Sequence, residues 1–471
     1  MRSFPDTAGS HSTVETSAGR RLRGLAKRFA DDRSGNFAIL TGISLITVMM
    51  GVGLAVDTAQ SYHVKSSLQS ALDAAVTSTA FDITTGKTRP EDAQASVEKF
   101  LNTNGRATFT TQGEYTLMPV VVDRTARTIE ATAFANVALA FPVFGVTDPR
   151  VSISSAALYS DKQIEVAMML DVTGSMAKTR TSDKIGDLKT AAANAVDSFL
   201  DGQDPTKPRV RVAIVPYANS VNAGALAAST VYVERSAADR KQAPGSEDPI
   251  FVSGASRPDN CATERKGAYQ YTDDPVSRSL VNRDFFLSQF AANTDTAACP
   301  AAAVTPLTAD AVALKKTIGK LAAQGGTGGH IGIQWTWYML SQKWGSVMSA
   351  SQRPGIANPK KVAKYAILMT DGEFNLSFFD ANSVDKVYDG NGKAATRTAA
   401  KTLCTAMKAQ GIEVFSIGFQ LENDFAKDTM KACSSADKGS VKHYFQTSTG
   451  EELDAAFQEI ARNIERLAIT R

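Results

Sequence analysis

Histidine and cysteine are scarce, four of each in 471 residues, and no two cysteines form a Cys-x-x-Cys pair. Their spacings are too wide for a zinc ribbon, so a site built on thiolate and imidazole is not expected. Charge of one sign is missing as well. The 51 basic and 48 acidic residues leave a formal net charge of +3, too small a field to hold nucleic acid or steer an acidic substrate, and no nucleic-acid partner is expected. The glycine-rich run Gly325-Gly326-Thr327-Gly328-Gly329 lacks the lysine of a P-loop. No nucleophile elbow or ordered base and orienter accompanies a serine, so the chain is not expected to be an enzyme. What is abundant is apolar: 43% of residues are hydrophobic. The length exceeds what one core usually serves, which calls for at least two folded units.

One long apolar run stands near the start. Arg20, Arg21, Arg23, Lys27, Arg28 and Arg33, partly offset by Asp31 and Asp32, precede NFAILTGISLITVMMGVGLAV, residues 36–56, and no charge follows until Asp57. At ~1.5 Å per residue the run covers roughly 30 Å, the thickness of a bilayer's hydrocarbon core. Basic residues ahead of the span favour a cytoplasmic N-terminus and put everything after Asp57 outside the cytoplasm. The alternative, a cleaved signal peptide, needs a shorter apolar region and a small-x-small site. Here the span runs straight into VDTAQSYHVKSSLQSALDAA. Cys261, Cys299, Cys404 and Cys433 all lie beyond the span, and their even number suits two disulfides in an oxidising compartment. Cys261–Cys299 with Cys404–Cys433 is the most local of three possible connectivities.

After the span, Tyr62, Leu68, Leu72, Ala75, Val76 and Thr79 recur at helical spacing, so the helix is predicted to continue outward. Pro90 breaks it, and EDAQASVEKFL reads as a short amphipathic helix with Val97, Phe100 and Leu101 on one side. From Glu114 to Ser160, segments such as YTLMPVVVD, TIEATAFANVALAF and RVSISSAALYS predict an antiparallel β layer. From Gln163 onward strands and helices alternate, the signature of a parallel sheet covered on both faces. IEVAMML, RVAIVPY, VAKYAILM and IEVFSIGF are apolar enough for buried strands. Ile185, Leu188, Ala192, Val196 and Phe199 form one helical stripe, and Val312, Leu314, Ile318 and Leu321 another. A last helix from Glu451 to about Leu467 turns Leu453, Phe457, Ile460 and Ile464 inward. The stretch from about Asn222 to Pro306 does not fit this rhythm and reads as an insertion into the α/β domain without secondary structure of its own; loops this long are functional or disordered, and a disulfide within it would favour function, with partner contact.

The first strand ends in VAMMLDVTGSM, with Asp171, Thr173 and Ser175 at alternating positions. Ligands of such sheets bind at the carboxyl ends of strands, and one carboxylate with two hydroxyls makes a hard oxygen surface suited to Mg²⁺. Thr327 in AAQGGTGGHIGI and Asp371 in YAILMTDGEFN occupy the same relative place in later α/β units. From Gln163 to Leu467 the sequence resembles the von Willebrand factor A family, whose metal-ion-dependent adhesion site has a D-x-S-x-S motif with a distant Thr and Asp. The resemblance implies a doubly wound, mostly parallel sheet. It assigns Asp171, Thr173, Ser175, Thr327 and Asp371 to Mg²⁺ or another divalent ion such as Mn²⁺ or Ca²⁺, with one position open for an acidic side chain of a protein partner. Thr173 stands where the family usually has Ser, which keeps the oxygen and restricts its rotamers. Each part also has a plainer reading. Asp-x-Thr-x-Ser can be an Asx turn or a cap for the helix at Lys184. Thr-Asp-Gly can be a turn. His330 can be a helix N-terminal residue rather than the base of a hydrolase using Asp171 and Ser175. Glu373 can lie behind the site or in a solvated turn, and Trp335, Trp337, Tyr338 and Trp344 can be core rather than a binding platform.

A second resemblance covers residues 27 to 80, KRFADDRSGNFAILTGISLITVMMGVGLAVDTAQSYHVKSSLQSALDAAVTSTA, which is similar to TadG-like proteins of Tad-type pilus assembly. Its marks are the basic lead, the membrane helix and the segment from Leu68 to Ala75. Were Gly35 a prepilin-type cleavage residue, the fifth position after it would be Leu40 and not an acid, so processing of that kind does not follow. Together the resemblances imply a bacterial inner-membrane protein, single-pass, with a cytoplasmic tail at 1–35, a span at 36–56 and a membrane-proximal helix and β layer at 57–160. An A-like domain follows at 161–471, periplasmic or extracytoplasmic, with its insertion at 222–306. The implied role is assembly or anchoring of a Flp/Tad pilus, with a pilus-assembly component as partner. The alternative is a surface adhesin for matrix or host protein unrelated to pili.

Overall fold

A computed structural model describes residues 27–28, 36–105, 115–137, 139, 141, 149–203, 208–232, 260–284, 299–356, 358, 361–379 and 384–470. The chain divides into two units: the first takes the described residues of Met1–Ala74, Glu98–Val120 and Ala131–Ser155, the second those of Ala75–Val97, Val121–Glu130 and Ala156–Arg471.

Helix α1 runs unbroken over Asn36–Thr85. In the first unit its early turns bear apolar side chains that protein does not cover, from Ile39 at 63% exposure to Val56 at 45%. Beyond them Val64, Leu68 and Leu72, four residues apart, are buried on one stripe. Tyr62 is exposed, because it stands on the opposite side of the helix from that stripe. Strand β1 (Tyr115–Leu117) pairs antiparallel with Ala133–Ala135 of a nine-residue strand. Ala131, Ala133 and Ala135 are buried there, the period-2 alternation of a sheet with one covered face.

In the second unit Ala75, Val76, Ala80 and Ile83 continue the buried stripe of α1. Helix α2 (Ala93–Phe100) buries Ala93 and Val97, and Phe100 is only half-buried. Strand β2 (Val121–Asp123) pairs antiparallel with the start of β3 (Thr128–Asn136); β4 (Arg150–Leu158), which like β3 lies mostly in the first unit, joins β3. The expected antiparallel layer is therefore present, although 106–114 and 142–148 lie outside the described residues.

The rest of this unit is built on an eight-stranded sheet. Its members are β5 (Gln163–Asp171), β6 (Val210–Tyr217), β7 (Val221–Asn222), β9 (Cys261–Ala262), β11 (Thr305–Thr308), β12 (Val362–Thr370), β13 (Glu413–Phe419) and β14 (Tyr444–Thr447). The order is β14-β13-β12-β5-β6-β7-β9, with β11 also on β6. Strands β14, β13, β12, β5 and β6 are mutually parallel, while β7, β9 and β11 run antiparallel to their neighbours. Alternate residues enter two apolar clusters. Ala167, Met169, Val215 and Leu368 pack with Ile333 and Trp337 of α5 (Gly329–Leu340) and with Leu403 of α6 (Gly390–Ala409). Val166, Met168, Ile214 and Ile367 pack with Val196 and Phe199 of α3 (Lys184–Leu200), Ile318 of α4 (Ala311–Gly319) and Phe457 of α8 (Gly450–Thr470). The four apolar segments are thus central strands, buried on both sides as their mostly apolar composition requires. Val312, expected on the inner stripe of α4, is 78% exposed. Two residues from Leu314 is about 200° around a helix, which puts it on the far face.

The stretch read as an unstructured insertion carries short elements of its own. Strand β8 (Val231–Tyr232) pairs parallel with β10 (Val281–Asn282), and β9 extends the main sheet through β7. Cys261–Cys299 closes a disulfide there, and Cys404–Cys433 joins α6 to α7 (Asp424–Cys433). Both pairings are the local ones. Residues 233–259 and 285–298 of the stretch lie outside the described residues. Two-residue strands leave no periodicity in a sequence, which is why they could not be read.

Candidate functional site

Chain order and sheet order disagree at one place. From β5 the chain moves to β6 on one side, then returns to β12 on the other and continues to β13 and β14. The gap beyond the carboxyl ends of β5 and β12 is therefore a topological switch point, where no crossover covers the sheet edge and open α/β sheets bind ligands. Asp171 is the last residue of β5 and Asp371 follows the last residue of β12.

Three loops converge there. In the first, Asp171 Oδ1 accepts the Thr173 amide at 2.9 Å, so the plainer Asx-turn reading is correct as far as it goes. The cap of α3 is not in this motif: Asp183 accepts from the Gly186 amide. Thr173 Oγ1 lies 2.9 Å from Ser175 Oγ, and Ser175 donates to Asp371 Oδ1 at 2.5 Å across 196 residues of chain. The second loop, leading into α5, is tied to the first by Gly174 N to Gly325 O and Gln324 N to Val172 O, each 2.8 Å. Gly325 adopts φ +75, a left-handed backbone that favours glycine. The third loop is zipped to the second: Thr327 N donates to Asn375 Oδ1 at 2.8 Å and Asn375 N to Thr327 O at 3.0 Å. Thr327 itself is 4% exposed. Gly329 opens α5 so close to Phe374 that a Cβ there would meet the ring at 2.1 Å. Asp171 at the end of β5 and the loop residues Thr173, Ser175, Thr327 and Asp371 thus belong to segments held to one another at this edge.

Four further residues enter the site that the sequence reading missed. Tyr217 Oη and Thr370 Oγ1 donate to Asp171 Oδ2 at 2.8 and 2.7 Å. Lys184 Nζ donates to Asp371 Oδ2 at 2.8 Å. Asn219 accepts the Gly326 amide and donates to Tyr388 Oη at 2.7 Å. Tyr217 and Thr370 end the strands on either side of β5, so strand-end position was a usable signal for both; Lys184 and Asn219 left none. Burial, then the charge of Asp371, raises the Asp171 carboxyl from its usual 3.8 to about 6, against the lowering effect of its hydroxyl and amide donors. Burial and the Asp171 carboxylate also hold the Tyr217 phenol well above its usual range.

The other residues singled out do not converge here. His330 is buried, with Nδ1 2.7 Å from Thr396 Oγ1 and Nε2 2.7 Å from Glu264 Oε1, so its ring nitrogens are engaged away from Ser175. Glu373 pairs with Arg397 and accepts from Asn423 at 3.0 Å. Trp335, Trp337, Tyr338 and Trp344 are at most 2% exposed; they are core, not a platform.

The Thr173 and Ser175 hydroxyls and the Asp371 carboxylate form a connected row of oxygens, with the Asp171 carboxylate on the Thr173 amide and Thr327 tied in through its backbone. Two cis ligands at the ~2.0–2.1 Å of Mg–O bonding stand about 2.9–3.0 Å apart in octahedral geometry, and the Thr173 and Ser175 oxygens are separated by 2.9 Å. Among the described residues no group of three or more His, Cys, Asp or Glu could hold a metal.

The membrane-proximal segment has a recognisable class. Residues 35–80 match the family described as putative Flp pilus-assembly TadE/G-like, so that stretch of the chain carries a TadE/G-like domain. No curated protein matches the chain. Among solved structures it is similar to the vWF domain of the type V pili tip protein Mfa5 from Porphyromonas gingivalis, with TM-score 0.36 and 14% identity over 66% of this chain and 97% of that one. It is also similar to the pilus adhesin SpaC from Lactobacillus rhamnosus GG, with TM-score 0.35 and 14% identity over 75% of this chain and 35% of that one. A third is the pilus adhesin RrgA from Streptococcus pneumoniae, with TM-score 0.31 and 12% identity over 74% and 49%. The chain thus spans half or less of the two adhesins. Likeness of this degree is no argument for a shared role.

Proposed function

We propose that residues 161–471 form a doubly wound, von Willebrand A-like domain that binds Mg²⁺, or Mn²⁺ or Ca²⁺ in its place, and uses the ion to grip an acidic side chain of a protein partner without catalysing a reaction. Thr173, Ser175 and Thr327 would hold the ion through hydroxyls, with Asp171 and Asp371 behind them. The bound ion supplies a fixed positive charge with room for one carboxylate ligand. The chain is anchored by the apolar half of α1 in a bacterial inner membrane, its tail at 1–35 cytoplasmic and its larger part on the outer side. There it serves assembly or anchoring of a Flp/Tad pilus, with a pilus-assembly component as partner. The TadE/G-like match at residues 35–80 supports the pilus context. The observation that carries the metal reading is the row of oxygens from Thr173 through Ser175 to Asp371, spaced 2.9 and 2.5 Å, at the switch point of the sheet. Calorimetric titration of Mg²⁺ into the detergent-solubilised full chain tests it. Heat of binding is expected from the wild type and is lost in Ser175→Ala with Thr173→Val; equal heats from both proteins would refute it.

A further inference from the structure

Lys184 is unusual in where it sits. It is the first residue of α3, where the helix dipole disfavours a cation, yet its side chain is folded inward to 18% exposure against a fully buried Asp371 carboxylate. The ion pair joins residues 187 apart, so its cause is not local. The adjacent acid, Asp183, is paired instead with Lys178 at the mouth of the same helix. Both oxygens of Asp371 are thereby used, one by Ser175 and one by a full positive charge.

We propose that Lys184 is a tethered cation that competes with the divalent ion for the site and sets the charge the loaded site presents to its partner. This rests on the metal reading above. Without metal, the two carboxylates are half neutralised by the ammonium. With a divalent ion held there, both carboxylates would be balanced and the Lys184 charge would be surplus, so the site would be net positive. A partner carboxylate then restores balance, so Lys184 weakens the ion and strengthens the acid. Metal and partner are coupled through one side chain, which favours the acidic ligand of the reading above over a neutral oxygen donor.

The test is calorimetry of Mg²⁺, and then of acetate at saturating Mg²⁺, on the detergent-solubilised full chain in wild-type, Lys184→Gln and Lys184→Arg forms, with far-UV circular dichroism to verify folding. Lys184→Gln is expected to bind Mg²⁺ about tenfold more tightly, since a charge-assisted hydrogen bond no longer has to be given up, and to bind acetate more weakly than wild type. Lys184→Arg, which keeps the charge, is expected to stay within about threefold of wild type. Binding in Lys184→Gln alone also supports the inference. Equal Mg²⁺ affinity in wild type and Lys184→Gln overturns it while leaving the metal site standing, and absence of heat in all three proteins overturns the metal reading and the inference with it.

Discussion

Asp171 is an acid whose folded environment works against its charge, and the sign of that effect can be tested. Its pKa rises from 3.8 to about 6 through burial and the charge of Asp371, so between these values the metal-free fold holds a proton that the unfolded chain has released. Stability from this group is full below pH ~4 and is lost as the pH climbs through about 6. Other carboxylates, such as Asp183 beside Lys178 and Asp389 beside Gly392 and Lys386, are shifted downward and act oppositely. The comparison must therefore be differential. In chelator, the thermal midpoint of Asp171→Asn relative to wild type is expected to rise from pH 4 to 6 and then level off. A difference flat across that window would show that Asp171 ionises freely.

At the scale of elements, the Cys404–Cys433 bridge ties α6 to α7 across 29 residues of sequence. In chain-entropy terms a closed loop of that size is worth about 3–4 kcal/mol. Cys404→Ala with Cys433→Ala is expected to lower the denaturant midpoint accordingly, and an unchanged midpoint would mean the two helices hold each other without it. Elements were legible in the sequence wherever their pattern was long. The four buried strands showed as mostly apolar runs, each with a single charged residue near its start, and α8 as a stripe of Leu453, Phe457, Ile460 and Ile464, all buried. Asp171 and Asp371 were legible because each ends such a run. What stayed hidden was either too short, like β8 to β10, or depended on contacts between distant elements. Nothing near Lys184 in the chain indicates that its ammonium meets a carboxylate 187 residues on. His330 and the tryptophans were ambiguous for the same reason, since one composition serves both a core and a binding surface.

At the scale of the molecule, the helix Ala38–Thr85 is long and apolar enough to cross a membrane, with only 6% of its most apolar window buried by protein. The chain is expected to stay in membranes washed with alkaline carbonate, and Val48→Arg with Met50→Arg, at about 2.5–3.5 kcal/mol per charge at mid-bilayer, to release it. Full retention of the doubly charged variant would show that something else holds it. The uncovered turns Ile39–Val56 and the packed turns Val64–Leu72 belong to one continuous helix, with no proline between them. Within the first unit the turns open to lipid and the turns packed against protein therefore share one ladder of backbone hydrogen bonds, so this stretch resists bending as a loose linker of the same length would not.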